Sequence, residues 1–182
     1  MLEAAEIFED CELPCTIGSA RLEAVAVQQV LLVAPFKGQM MAVADALRPL
    51  IGVILPPVGQ LVQGDGLRAF WFRPGQWLIC GEAGLMRQTR EALAGKAAAV
   101  DASDQFGMLE LTGGAAPLSR LCALDLEALP VGAVAQTSLA DIAITLMVGE
   151  NGVLLLVPRS YAGSAVSRLK VAMRSTAALD LL

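Results

Sequence analysis

The sequence has no histidine in its 182 residues. That removes the side chain that most often serves as a general base near neutral pH. It also excludes any Ser-His-Asp or Cys-His arrangement built within the chain. Charged residues make up only 17% of the chain, against 55% apolar. Clustered positive charge is missing too: the 13 Lys and Arg are scattered and the formal net charge is −5. A nucleic-acid-binding surface needs a concentrated basic face, so that class is excluded. No uncharged run is fit to span a membrane. The longest, Pro49–Gly64, lies between Arg48 and Asp65 and is broken by prolines and glycines. The opening MLEAAEIFED is acidic and lacks the basic and apolar regions of a secretory signal, so the cytoplasm is the expected compartment. Neither G-x-G-x-x-G nor G-x-x-x-x-G-K-[ST] occurs.

What is present is an apolar excess in a chain long enough to bury a full core without disulfides or metal. Surplus apolar surface with no membrane span points to a protein partner. Cys80 and Cys122 lie in apolar runs and read as small core residues. Cys11 and Cys15 have CxxxC spacing on a polar segment, but with no histidine and no second cysteine pair a metal site is not expected.

The most strand-like stretch is Leu55–Cys80, and a fainter copy follows it. Pro57-Val58-Gly59 leads into Gln60–Gln63, and Pro130-Val131-Gly132 leads into Ala133–Gln136, 73 residues later. After each comes a strand pair and then a helix. The first set is Leu67–Phe72, Trp77–Cys80 and Ala83–Ala94, with Arg73-Pro74-Gly75-Gln76 as a hairpin turn. The second set is Asp141–Val148, Val153–Val157 and Tyr161–Met173, with the turn at Glu150-Asn151-Gly152. Two copies are too few for a solenoid, so two similar halves sharing one core are expected.

The remaining elements fall into place around this repeat. Arg21–Pro35 reads as one or two strands. Met40, Val43, Ala44 and Leu47 form an apolar stripe on a helix over Gly38–Arg48 that Pro49 stops. Val53–Leu55, Ala97–Val100 and Met108–Leu111 read as strands, and Pro117 opens a short helix. The expected organisation is a lead-in over 1–20, a first half over 21–103, a second half over 104–174 and a fraying tail over 175–182. Each half reads β-α-β-β-β-α, an α+β fold.

Candidate chemistry is sparse. Thr112-Gly113-Gly114 precedes a helix and could present N–H groups to an anion, although a plain tight turn explains it as well. Asp101, Asp104 and Asp141 sit at strand ends, where solvated turn carboxylates are common. Trp71 and Trp77 lie in the first hairpin as core residues or interface anchors. Arg159-Ser160-Tyr161 stands where a strand meets a helix, as a cap or a docking corner. Trp77, Arg159 and Tyr161 are therefore the candidates for a partner interface.

Several of these segments, in order, resemble the gamma subunit of heterotetrameric sarcosine oxidase. They are Pro74-Gly75-Gln76-Trp77-Leu78-Ile79, Met108–Gly113, Leu124-Asp125-Leu126, Leu129-Pro130 with Gly132, Ala135-Gln136-Thr137, and Leu156–Ala162. The match covers Leu67–Ala162. Ser164-Ala165-Val166 stand where that family often carries an aromatic residue.

The resemblance implies a fold like the folate-binding region of glycine-cleavage T-proteins. It also implies a non-catalytic subunit packed mainly against alpha, in a complex with beta and delta. That complex oxidises sarcosine to glycine and passes the one-carbon unit to tetrahydrofolate. It uses FAD, FMN, NAD and tetrahydrofolate, all held by other subunits. A second reading is a stand-alone tetrahydrofolate-binding or aminomethyltransferase-like protein, with Asp141 as its functional carboxylate. A third is a homodimer of the isolated chain through its apolar face.

Overall fold

A computed structural model of the chain describes residues 7–26, 29–52, 55–64 and 66–179. The fold is α+β, with antiparallel sheets and few helices. It divides into two compact units, one made of Met1–Ala26 with Asp104–Leu182 and the other of Val27–Ser103.

The Val27–Ser103 unit holds strands β3 (Gln29–Pro35), β4 (Leu61–Gly64), β5 (Leu67–Arg73), β6 (Gln76–Gly81) and β7 (Ala97–Asp101). Their order in the sheet is β4-β5-β6-β3-β7, antiparallel throughout. Helices α1 (Met40–Ile51) and α2 (Ala83–Ala92) supply Val43, Leu47 and Met86 to a core against Leu31, Val33, Ala69 and Ile79. The core side chains alternate along each strand, as a period of two requires.

The other unit has β1 (Cys15–Ile17), β2 (Ala20–Val25), β8 (Phe106–Thr112), β9 (Val134–Leu139), β10 (Ile142–Val148) and β11 (Gly152–Pro158). Here the order is β1-β2-β8-β11-β10-β9. Helices α3 (Ala116–Ser119) and α4 (Ala162–Leu179) cover one face, where Leu118, Val166 and Leu169 meet Leu22, Leu109, Ile144 and Leu155.

The repeat seen in the sequence is a repeat of topology. Following β3 or β8 through a helix, a three-strand run and a second helix gives the same strand order in both sheets. The final strand differs in origin. β7 pairs with β3, and the chain then continues. In the other unit α4 lies at the end of the chain, and the place beside β8 is taken by β2, from the N-terminal side.

Three expectations meet the structure here, and the first and third of them are corrected. Residues 1–20 are not only a lead-in, because β1 pairs with β2 there. Arg21–Pro35 forms two strands that join different sheets. The residues after Arg174 remain helical to Leu179.

Pro49 does not stop α1 but lies in its last turn, and Gly52 ends the helix with φ +71° and its N–H on the Arg48 carbonyl. A proline so near the C-terminus removes only one late intrahelical bond, and the left-handed glycine closes the helix. The strand expected at Val53–Leu55 falls mostly outside the described residues.

Both Pro-Val-Gly segments form the same turn. Gln60 N–H donates to Pro57 O at 3.1 Å, and Ala133 N–H donates to Pro130 O at 3.0 Å. Gly59 and Gly132 take φ of +72° and +85°. Positive φ at the third residue is the type II requirement that glycine meets without steric cost.

Candidate functional site

An open apolar groove of about 570 Å³ lies in the Val27–Ser103 unit. Its floor is the β5–β6 hairpin. Pro74 and Gly75 (φ +71°) turn that hairpin tightly, and a register shift lies between Trp71 and Arg73. Trp71 and Trp77 are directly opposite each other across the two strands. Both therefore face the same side of the sheet, which the odd turn spacing hid at the sequence level.

Trp77 is 7% exposed, and its Nε1–H donates to Pro56 O at 2.8 Å. That bond fixes the ring and ties the Leu55-Pro56-Pro57 segment to the hairpin. Trp71 is half-buried, and its enclosed Nε1–H meets no acceptor among the described residues.

The rest of the lining comes from the start of α1, with Met40, Met41 and Ala44, and from Leu55 to Val58. Met41 is 68% exposed and Val58 is 73% exposed. No residue of the lining is ionisable. The sequence stripe placed Met40 with the buried side of α1. Instead Met40 and Met41 both stand at the rim, while Val43, Ala44 and Leu47 are buried. Two adjacent methionines at a helix start cannot both face the core, and that was the available signal.

The remaining interface candidates and Asp141 lie in the other unit. Arg159 and Tyr161 form a 3-10 turn before α4. The Arg159 guanidinium is 3.8 Å from Asp104 Oδ1, and Tyr161 is 53% exposed. Asp141 follows Ala140, whose φ is +56°, and its carboxylate pairs with Arg168 of α4 at 2.6 Å. The structure thus places Trp77 in one unit and Arg159, Tyr161 and Asp141 in the other.

Gly113 takes φ +81°, and a Cβ there would collide with the backbone of Ser19. The glycine is needed for the close passage of the chain before β2. Gly113 is therefore packed against protein backbone, whereas Gly114 beside it is open.

Lys170 Nζ donates to Cys11 O at 2.7 Å and to Glu12 O at 3.3 Å, closing the turn between the two N-terminal cysteines. Among the described residues no cluster of three His, Cys, Asp or Glu is arranged to hold a metal ion. No helix among them is long and apolar enough to cross a membrane.

No family model and no curated protein matches the chain. Solved structures do. A chain of the heterotetrameric sarcosine oxidase from Corynebacterium sp. U-96, determined with pyrrole 2-carboxylate, is 27% identical. The alignment covers 97% of this chain and 96% of that one, with a TM-score of 0.81. The glycine cleavage system aminomethyltransferase T from Bartonella henselae is 13% identical, with a TM-score of 0.62. It is matched over 92% of this chain and 52% of its own. The chain thus has the fold found along about half of an aminomethyltransferase T, and it is similar end to end to a chain of a heterotetrameric sarcosine oxidase.

Proposed function

We propose that this chain is the non-catalytic gamma-type subunit of a cytoplasmic heterotetrameric sarcosine oxidase. The observation that carries the reading is the end-to-end similarity, at 97% and 96% coverage, to one chain of such an enzyme. The ordered gamma-like segments from Pro74 to Ala162 support it independently. In this reading the alpha, beta and delta subunits perform the chemistry, which oxidises sarcosine to glycine and transfers the one-carbon unit to tetrahydrofolate. This chain supplies surface and shape.

The groove and Asp141 do not fit the cofactors of such an enzyme. FAD, FMN and NAD need backbone N–H groups free to meet phosphates. Of the Gly-Gly turn before α3, Gly113 lies against the Ser19 backbone. The uncharged groove has no carboxylate or guanidinium to orient a pterin, and Asp141 is already engaged by Arg168. In this reading flavins, NAD and tetrahydrofolate are held by the other subunits.

The test is co-expression with the alpha, beta and delta subunits of such an enzyme. Co-purification at fixed stoichiometry, with sarcosine-oxidising activity, supports the reading. A monomer that ignores those subunits overturns it. If that monomer also binds tetrahydrofolate near micromolar, about −8 kcal/mol, and loses binding in Asp141→Asn, the stand-alone folate-binding reading replaces it.

A further inference from the structure

We propose that Met40 and Met41, at the start of α1, form a reversible oxidation site. Hydrogen peroxide converts both thioethers to sulfoxides there, and the rim of the tryptophan-floored groove turns from apolar to polar. The inference goes beyond the subunit reading and does not depend on it.

Exposure selects these two residues. Met86, Met108, Met147 and Met173 are each no more than 2% exposed. Met40 and Met41 are 42% and 68% exposed, are neighbours in sequence and line the same groove. Oxidation of a thioether requires peroxide to reach the sulfur from solvent, so the chain divides its described methionines into four that are shielded and one adjacent pair that is not.

The chemistry suits the surroundings. A sulfur lone pair attacks one peroxide oxygen, the O–O bond breaks and an S–O bond forms. The departing hydroxide takes the proton of the transferred oxygen and leaves as water. Sulfur is oxidised by two electrons, and the peroxide is reduced by the same two. A thioether has no proton to lose, so the step needs no general base, and the groove lining has no ionisable residue. Two of the thiols compete poorly for the oxidant. The thiolate is the reactive form, and burial raises Cys80 and Cys122.

The product is tolerated at this place. A sulfoxide inside a core disrupts packing. At the start of a helix, long side chains lean back over the first turn, where the leading N–H groups have no intrahelical acceptor. Gln39, the N-cap residue, supplies no side-chain bond to them. A sulfoxide oxygen there is an acceptor among spare donors and solvent. The consequence falls on the groove instead of the fold. Both tryptophans of the chain, Trp71 and Trp77, line it, so the tryptophan emission of the whole protein reports on two new dipoles at the rim.

The experiment treats the full chain with hydrogen peroxide and follows each methionine by peptide mass spectrometry, with Met1 mapped separately. We expect Met40 and Met41 to gain one oxygen each, roughly tenfold or more faster than Met86, Met108, Met147 and Met173. Circular dichroism should stay unchanged while the tryptophan emission shifts. The rate should be equal at pH 6 and pH 8. Methionine sulfoxide reductases for both epimers, with a thiol reductant, should remove both oxygens and restore the emission. The double variant Met40→Leu with Met41→Leu keeps apolar volume and helix propensity, and its emission should not respond to peroxide. If that variant does not fold, Met41→Leu alone should halve the oxygen uptake at the pair.

Oxidation of Met86 or Met173 as fast as Met41 overturns the selectivity on which the site rests. Loss of helical signal in step with oxidation shows that the product is not tolerated, and the site falls with it. An emission that does not shift, or that shifts equally in the leucine variants, separates the two methionines from the groove and overturns the proposal. Sulfoxides that the reductases cannot remove end its reversibility.

Discussion

The hydroxyl of Ser103 donates to Asp101 Oδ1 at 2.6 Å and accepts the backbone N–H of Val30 at 3.0 Å. Ser103 N–H donates to the same carboxylate oxygen at 3.0 Å. One short side chain thus joins the end of β7 to the start of β3, beyond the last paired residues of the two strands. The bonds favour the charged carboxylate. The Ser103 hydroxyl and then its backbone N–H hold Asp101 below its ordinary value; burial opposes them, and Arg90 at 3.9 Å adds the smallest lowering effect.

A folded-state value below the unfolded one stabilises the protein above the unfolded value, and this stabilisation is lost as the pH falls through the folded value. Ser103→Ala should therefore cost stability at neutral pH in two parts. The lost acceptor for Val30 N–H accounts for roughly 1 kcal/mol and does not depend on pH. The lost Asp101 bond depends on pH. Urea unfolding of wild type and variant should show a gap that narrows as the pH is lowered below about 4. A gap constant from pH 7 to pH 2 would show that Asp101 and Ser103 are not coupled.

Gly113 and Gly114 both have positive φ, at +81° and +120°, but only Gly113 is crowded. A methyl at Gly114 meets nothing within 4 Å, whereas one at Gly113 meets the Ser19 carbonyl and the Ala20 backbone. Gly113→Ala should destabilise by about 3 kcal/mol or more, combining backbone strain with a clash that neither chain segment can relieve. Gly114→Ala should cost about 1 kcal/mol, from strain alone. Comparison of the two by urea denaturation checks the claim, and equal losses would refute the close approach.

Cys11, Cys80 and Cys122 differ in their surroundings. Burial pushes the Cys80 thiol up to about 12, with Arg68 opposing weakly, although the residue as a whole is half-buried. Burial also raises Cys122. Cys11 is raised by burial, opposed by Lys170 and assisted by Asp10. The thiolate is the reactive form. At pH 8 in the folded protein, a thiol reagent counted by absorbance should leave Cys80 and Cys122 unmodified and react slowly with Cys11. All four should react once the chain is denatured. Rapid modification of Cys80 in the folded chain would contradict its enclosure.

How much of this was legible in the sequence depends on the range of the determining interaction. The hairpins, the helices and the doubled Pro-Val-Gly turn are set by local chemistry, and their residues named them. The partner of β8 was not legible. Whether the strand beside it comes from before or after in the chain is decided by long-range pairing, and Ala20–Val25 carries no local mark of its destination. The facing of Trp71 and Trp77 was hidden for a related reason, because a register shift near the turn changes the parity that simple alternation assumes. The groove was missed because its rim is assembled from α1, the Pro56-Pro57 segment and the hairpin. No one of these is unusual alone.

The clearest trace of the doubled architecture is testable at two positions. Gly59 and Gly132 hold the same place in their turns, at φ of +72° and +85°. An alanine at either must adopt a left-handed backbone that a Cβ disfavours. The cost expected for each is about 1–2 kcal/mol. The preceding prolines fix the approach to both turns, and both turn-closing hydrogen bonds have ordinary length, 3.1 and 3.0 Å. Gly59→Ala and Gly132→Ala should therefore lower stability by amounts within about 0.5 kcal/mol of each other. The Gly59→Ala change should leave amide exchange in β9 and β10 unaltered, since their partners lie in the other sheet. An alanine tolerated at one site and costly at the other would mean that the two turns share three letters of sequence but not a backbone requirement.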